Sequence, residues 1–209
     1  MSGALLALVL AAAPTPVVDA ASILKSLEAA GRALRTMKAE FTETRVTVLL
    51  DEKEESQGSV FLQVPGRLRW DYRTPEPKAL LIKDGRFARY FPKSKQVLRG
   101  VAKGDADLLV GFGPGAADLG KKYQVTYKGD EVAGGAMAHV LDLKPRGEGG
   151  LFAEIRLWVE AALSIPIQTR LTEPTGDFTT ILFQKVEINR PLPATAFELS
   201  LPKDVVEVQ

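Results

Sequence analysis

The sequence predicts a mainly β protein in which one antiparallel sheet curls into a barrel or half-barrel. Three observations predict this class. Short segments of alternating apolar and polar residues, the pattern of a half-buried strand, recur along most of the chain. Turn signals rich in Gly, Asp and Pro separate these segments about every ten residues. One amphipathic helix precedes the first strand and one helical insert interrupts the series. We therefore expect roughly ten strands in a single domain over residues 21–209.

The composition is that of a globular domain without a charge bias. The chain has 209 residues, of which 45% are hydrophobic, and 27 Lys and Arg balance 26 Asp and Glu. A nucleic-acid-binding protein draws much of its affinity from an excess of basic residues, so this balance predicts no nucleic-acid partner. The chain contains no cysteine, which excludes disulfides, thiolate metal ligands and cysteine nucleophiles.

An uncharged apolar run occupies residues 4–13. It is too short to span a bilayer, which needs about 20 residues, but it suits the apolar part of a secretory signal. Val18 and Ala20 have the small-residue spacing of a cleavage site, and a cut after Ala13 is the alternative. We expect residues 1–20 to be a signal peptide and the mature protein to be periplasmic. The other interpretation of this run is a short buried helix.

The helix that follows has one apolar face. Ile23, Leu27, Ala30, Leu34 and Met37 recur at the spacing of three and four residues that places side chains on one side of a helix. Ser22 is the predicted N-cap. The apolar face requires a surface to cover, and the sheet provides one.

The strand pattern is clearest in the segment "RLRWDYR". Leu68, Trp70 and Tyr72 share one face and the arginines lie on the other, because strand side chains alternate in direction. Asp84 and Gly85 then separate two apolar runs and predict a hairpin. Residues 104–122 do not alternate. Their apolar side chains and a Gly-Pro-Gly break predict two short helices.

The residues that enzymes use are missing or isolated. The single histidine, His139, lies on a predicted strand, whereas a zinc site needs three or four ligands. No G-x-S-x-G nucleophile elbow is present. The segment "GFGPG" lacks the Lys and Ser or Thr of a phosphate-binding loop. The sequence therefore predicts a protein that is not an enzyme and that uses no metal or cofactor.

Three segments support a family resemblance. They are "FTETR" after the amphipathic helix, "VPGRLRWDYRTPEPKALLIKDGR", and the C-terminal run "GDFTTILFQKVEINRPLPATAFELSLPKDVVEV". In their order and spacing they resemble the periplasmic lipoprotein carrier proteins, the LolA-like family. The family usually has an arginine before the Pro-Gly pair of the second segment, and that arginine helps to hold a lid shut. Here the position is Val64.

The resemblance implies an unclosed antiparallel β half-barrel in which the N-terminal helix and the short helical insert form a lid over a hydrophobic cavity. The cavity takes the acyl chains of lipoproteins. The implied partners are an inner-membrane lipoprotein-releasing transporter and an outer-membrane acceptor, and the protein is a monomer. The predicted cavity residues are Val60, Leu62, Leu68, Trp70, Tyr72, Leu80, Ile82, Tyr90, Leu141, Leu143, Ile155, Leu157, Ile181 and Phe183. The predicted lid residues are Ile23, Leu27, Leu34, Leu108, Leu109 and Phe112.

Two alternatives stand beside this prediction. From the residue pattern alone, the strand aromatics would fill a closed core that binds no ligand. A different class of function is a lipid-sensing regulatory or structural half-barrel, which would bind a membrane lipid without shuttling it.

Overall fold

Alternating strands form one large sheet in the structure, a computed structural model that describes residues 18–102, 110–147 and 150–208. Twelve strands pair in the order β12-β6-β5-β4-β3-β2-β1-β11-β10-β9-β8-β7. The strands are β1 (Thr36–Thr47), β2 (Glu52–Gln63), β3 (Arg67–Thr74), β4 (Lys78–Lys83), β5 (Arg86–Phe91), β6 (Gln96–Val101), β7 (Tyr123–Ala133), β8 (Ala136–Pro145), β9 (Glu154–Glu160), β10 (Pro166–Thr172), β11 (Phe178–Ile188) and β12 (Val206–Val208).

The expected mainly β, unclosed sheet is confirmed, since β7 and β12 lie at opposite edges of the described sheet. The predicted Asp84–Gly85 turn joins β4 to β5, and both residues have the positive φ angles that a tight two-residue hairpin requires. The sheet has two more strands than predicted, and it is not wholly antiparallel, because β12 pairs with β6 in parallel. This three-residue strand carries too little periodicity to be recognised.

The N-terminal helix α1 (Ala20–Ala33) is capped by an earlier residue than predicted. Asp19, not Ser22, is the N-cap: its carboxylate accepts the backbone N–H of Ser22 at 2.8 Å. Ser22 in turn accepts the backbone N–H of Asp19 through its hydroxyl at 3.1 Å. This reciprocal capping box satisfies two of the free N–H groups at the helix start.

One face of the sheet, called here the inner face, is covered by α1 and the insert. It carries two apolar clusters. The first lies on β1 to β4 and β11 and includes Phe41, Trp70 and Phe183, with Leu34 at the C-cap of α1 and Phe112 of the insert packed against them. The second is on β8 to β10 and includes Ile23 and Leu27 of α1. Burial of this apolar surface is the main stabilising contribution to the fold.

The described part of the insert consists of a 3₁₀ turn, Gly113–Ala116, and the short helix α2 (Leu119–Lys122). The 3₁₀ turn packs very closely on α1. A Cβ atom added at Gly31 would lie 2.6 Å from the carbonyl oxygen of Gly113 and 2.7 Å from Cβ of Ala116. Only glycine at position 31 permits this approach.

Candidate functional site

A partly open cavity of about 440 Å³ lies on the inner face, toward the end of the sheet where the β1–β2 and β10–β11 turns are found. Its volume falls within the range of small-ligand sites, roughly 300 to 1,000 Å³. Side chains from β1, β3, β4, β5, β10 and β11 converge on it. The lining residues are Glu43, Arg45, Trp70, Tyr72, Lys78, Ala79, Leu80, Arg89, Phe91, Leu151, Phe152, Leu171, Glu173, Thr179 and Ile181.

The inner end of this cavity is apolar and its rim is charged. Trp70, Leu171 and Ile181 are at most 3% exposed, so they form a floor that is continuous with the two apolar clusters. The side chain of Arg45, by contrast, is 58% exposed and lies 3.9 Å from the Glu173 carboxylate. The arrangement suits an amphiphilic ligand.

A carboxyl group is held inside the cavity wall. The hydroxyl of Tyr72 donates a hydrogen bond to the Glu43 carboxylate at 2.9 Å, and the Lys78 ammonium lies 4.1 Å from the centre of the Tyr72 ring. Burial raises the pKa of Glu43 above its ordinary value, more than the Tyr72 hydrogen bond lowers it. Burial also raises the pKa of Tyr72, and the neighbouring Glu43 charge adds to that shift.

Trp70 is the aromatic centre of the floor. Its ring lies 4.9 Å from that of Phe41 and 6.0 Å from that of Phe183, measured between centroids. Among the described residues, its indole Nε1 is the one buried side-chain nitrogen or oxygen without a hydrogen-bond partner. Buried polar groups normally have partners, so this N–H is a feature that needs an explanation.

A larger depression of about 650 Å³ adjoins the cavity and shares Lys78 and Phe91 with it. Its other lining residues include Glu54, Glu76 and Lys93, which are exposed. None of its lining residues belongs to the two apolar clusters, so it is not continuous with the buried apolar surface and is a poorer candidate for binding a lipid.

Thirteen of the fourteen predicted cavity residues lie at the cavity or in the clusters around it. Four line the cavity: Trp70, Tyr72, Leu80 and Ile181. Nine pack in the clusters around it: Val60, Leu62, Leu68, Ile82 and Phe183 in the first, and Leu141, Leu143, Ile155 and Leu157 in the second.

The placement of the remaining predicted residue, Tyr90, was wrong. Tyr90 pairs with Ala79 and Val97, whereas Leu80, on the inner face, pairs with its neighbour Arg89. Paired residues in an antiparallel sheet point to the same side, so Tyr90 lies on the outer face.

The predicted lid residues that the structure describes all face the sheet. Ile23 and Leu27 pack in the second cluster, and Leu34 and Phe112 pack in the first. The Phe112 ring is 5.2 Å from that of Phe183. Leu108 and Leu109 lie outside the described residues.

At the position where the family usually has arginine, Val64 makes an apolar contact. It packs against the first cluster, and its Cγ2 would lie 3.2 Å from a Cβ atom at Gly113 of the insert. The arginine nearby on β3 points away from the insert, as the alternation predicts. Arg69 binds Asp71 at 2.8 Å and donates to the carbonyl of Glu198 at 2.6 Å, which ties the C-terminal segment to the outer face.

The charged residues of the cavity were missed by sequence reasoning. Charged side chains on a strand are usually solvated, so alternation alone does not select them. One signal was present: Glu43 follows Ala39 and Phe41 at a spacing of two, which places it on the inner face. The sequence does not show that β10 would bring Glu173 to the same cavity.

Two searches of the described residues bear on other functions. No helix within them is long and apolar enough to cross a membrane. No group of three or more His, Asp or Glu side chains within them could hold a metal ion.

Comparisons with known proteins agree with this geometry. The profile of the family described as "Outer membrane lipoprotein carrier protein LolA" matches residues 32–200. An outer-membrane lipoprotein carrier protein of Chromobacterium violaceum is 26% identical over 186 residues, which cover 88% of this chain and 86% of that protein. One of Dechloromonas aromatica is 30% identical over 174 residues, which cover 80% and 78%. An uncharacterized conserved protein from Thermus thermophilus has the same fold, with a TM-score of 0.60 at 16% identity, covering 90% of this chain and 98% of that one.

An unclosed sheet with a helical cover and an apolar-floored cavity defines a half-barrel of the carrier class. The chain belongs to the outer membrane lipoprotein carrier protein LolA family. These relatives are named as carriers, and the family is one of binding and transport.

Proposed function

We propose that this protein is a soluble periplasmic carrier that binds the acyl chains of lipoproteins and shuttles them from an inner-membrane transporter to an outer-membrane acceptor. The observation that carries the proposal is the cavity floored by Trp70, Leu171 and Ile181 on the inner face of a LolA-family half-barrel. The floor is continuous with apolar clusters covered by α1 and the insert.

The energetics of acyl chains explain why a carrier needs this design. Each methylene group moved out of water gains roughly 0.8 kcal/mol, so a lipoprotein with several chains cannot cross an aqueous compartment unshielded. Release at the acceptor requires that no strong specific contact holds the chains. Apolar walls meet both conditions, because their attraction is not directional. On this proposal the insert moves as a lid, the protein acts as a monomer, and it catalyses no reaction.

Export is part of the same proposal. A cut after Ala20 would remove Asp19 and with it the capping box of α1, whereas a cut after Ala13 would keep it. We therefore favour the upstream site for signal cleavage.

Genetic depletion tests the shuttling role. Without the carrier, outer-membrane lipoproteins should accumulate in the inner membrane, which membrane fractionation and immunoblotting would detect. Expression of the wild-type protein should restore their outer-membrane location. If lipoproteins remain correctly sorted while the expression of envelope stress genes changes, the lipid-sensing alternative would replace the carrier.

A further inference from the structure

The cavity is more polar than a site for hydrocarbon tails requires. Seven of its fifteen lining residues are charged or carry a hydroxyl group. Ligand sites are usually lined mainly by apolar side chains, with a few polar groups that orient the ligand. Inside the same half-barrel, the two clusters under α1 and the insert are built from aliphatic and aromatic side chains and contain no charged residue. The inner face thus has a polar compartment and an apolar one.

Trp70 stands at the boundary between the two compartments. It lines the cavity, and it also packs with Phe41 and Phe183 in the first cluster, where Phe183 contacts Phe112 of the insert. Its indole is only 2% exposed and its N–H has no partner. The flanking Phe rings are weak acceptors in comparison with an oxygen atom.

We infer that the cavity receives the polar end of an acylated cargo, and that the Trp70 indole N–H donates a hydrogen bond to an acyl carbonyl oxygen at this boundary. The inference rests on the proposed carrier function and assigns each end of the cargo to one compartment of the inner face. The chains then continue beneath the insert, into the region that Phe112 and its neighbours fill in the closed protein. The glyceryl and peptide part lies among the charged side chains of the rim.

The chemistry of the wall favours a carbonyl oxygen. Indole N–H is a donor only, so the ligand atom that satisfies it must be an acceptor. The rim cations Arg45, Lys78 and Arg89 are donors as well. Glu43, a nearby acceptor, is already bonded to the Tyr72 hydroxyl. An ester or amide carbonyl is an acceptor located where an acyl chain meets its polar head. It is therefore the ligand atom expected next to Trp70 once the chain lies in the apolar compartment.

The chain contains two tryptophans, and the second is an internal control. Trp158 is also buried, at 6% exposure, but its Nε1 already donates to the Glu131 carboxylate at 2.7 Å. It pairs with Gln168 and Val140 and lies on the outer face. Any effect that comes from tryptophan removal in general would appear at both positions, whereas the proposed contact concerns Trp70 alone.

The test compares two probes of equal chain length: a lipopeptide whose two chains are joined by esters, and its dialkyl ether analogue, which has no carbonyl in the linkage. A net hydrogen bond is worth roughly 0.5 to 1.5 kcal/mol, so the wild-type protein should bind the ester probe about two- to twelvefold more tightly. Trp70→Phe should remove this preference by weakening ester binding alone. Trp158→Phe should keep it.

Nuclear magnetic resonance gives a second readout that needs no substitution. The ester probe should shift the Trp70 indole N–H resonance of the wild-type protein downfield, and the ether probe should not; the Trp158 resonance should stay in place with both. Equal affinity for the two probes, or a Trp70 resonance that responds identically to both, would overturn the inference while leaving the carrier function intact. Failure of the wild-type protein to bind either probe would overturn the carrier function itself. Should Trp70→Phe fail to fold, the wild-type resonances decide the question.

Discussion

At the scale of single residues, Glu43 is a partly buried carboxyl group in the cavity wall. Burial raises its pKa above the ordinary value of 4.5. The ordinary pKa applies to Glu43 in the unfolded chain and the raised pKa to Glu43 in the folded protein. Between these two values the folded protein binds more protons than the unfolded chain, so stability falls as pH rises through this window. The penalty for the ionised form is complete above the raised pKa and absent below 4.5.

Glu43→Gln should therefore stabilise the protein at neutral pH, because the amide is neutral and its oxygen still accepts the Tyr72 hydroxyl. The substitution should also flatten the pH dependence of stability above 4.5, the ordinary pKa of glutamate. Melting temperature measured from about pH 4 to 8, the range that spans this titration, checks this. Glu173→Gln, the same substitution at another acid of the cavity wall, is the matched control for the loss of a carboxylate in general. An unchanged slope in Glu43→Gln would show that this carboxyl is well solvated.

Thr179 allows the cavity to be filled without burying a charge. It lies on β11 at the cavity wall, so Thr179→Trp should occupy space that a ligand needs. If the new side chain excludes two methylene groups of the ligand, at about 0.8 kcal/mol each, binding of an acylated peptide should weaken roughly fifteenfold. A fluorescence titration would measure this change. Thr42→Trp, on the outer face of β1, should bind normally. Normal binding by Thr179→Trp would place the ligand elsewhere.

At the scale of elements, the contact between α1 and the insert depends on one glycine. In Gly31→Ala the new methyl group would collide with Gly113 and Ala116, and overpacking of this kind costs about 1–3 kcal/mol. Denaturant unfolding should show that loss. Gly120→Ala in α2 is the matched control, because its methyl group would lie 3.7 Å from Leu24, an ordinary contact. Equal stability of Gly31→Ala and the wild type would mean that the insert moves aside freely.

The contact between Val64 and the insert should also be insensitive to salt. Val64 meets the insert through apolar atoms, and screening by ions weakens interactions between charges, not apolar packing. Hydrogen exchange across residues 110–122 should therefore be similar at low and high ionic strength and should rise on lipid loading. Protection that collapses in high salt would reveal a polar latch that substitutes for the family's arginine.

Strand alternation predicted which residues share a face but not which part of that face stays uncovered. Leu68, Trp70 and Tyr72 share one face of β3, as predicted. Leu68 is nevertheless packed in a cluster, whereas Trp70 and Tyr72 line the cavity. That difference comes from where Phe112 and α1 pack, which is a tertiary property. Tyr90 was misplaced for a related reason: the face of β5 is set by its register with β4, and the apolar residues of β5 do not alternate.

At the scale of the whole molecule, the fold was more predictable than the site. A many-stranded sheet, one covering helix and an insert follow from periodicity and turn chemistry, because each strand must bury one face. The site combines β1, β3 to β5, β10 and β11, and its charged residues are distant in sequence. Their convergence depends on how the sheet curls, which no local pattern specifies.

The central claim is that acylated lipoproteins enter the inner face of the half-barrel. Two adjacent residues of β5 test it directly: Phe91 lines the cavity, and Tyr90 lies on the opposite face. A photoreactive phenylalanine analogue placed at each position in turn would be irradiated in living cells, and mass spectrometry would identify the adducts. We predict lipoprotein adducts from position 91 and none from position 90. No lipoprotein adduct at position 91, or the same adducts at both positions, would contradict the account.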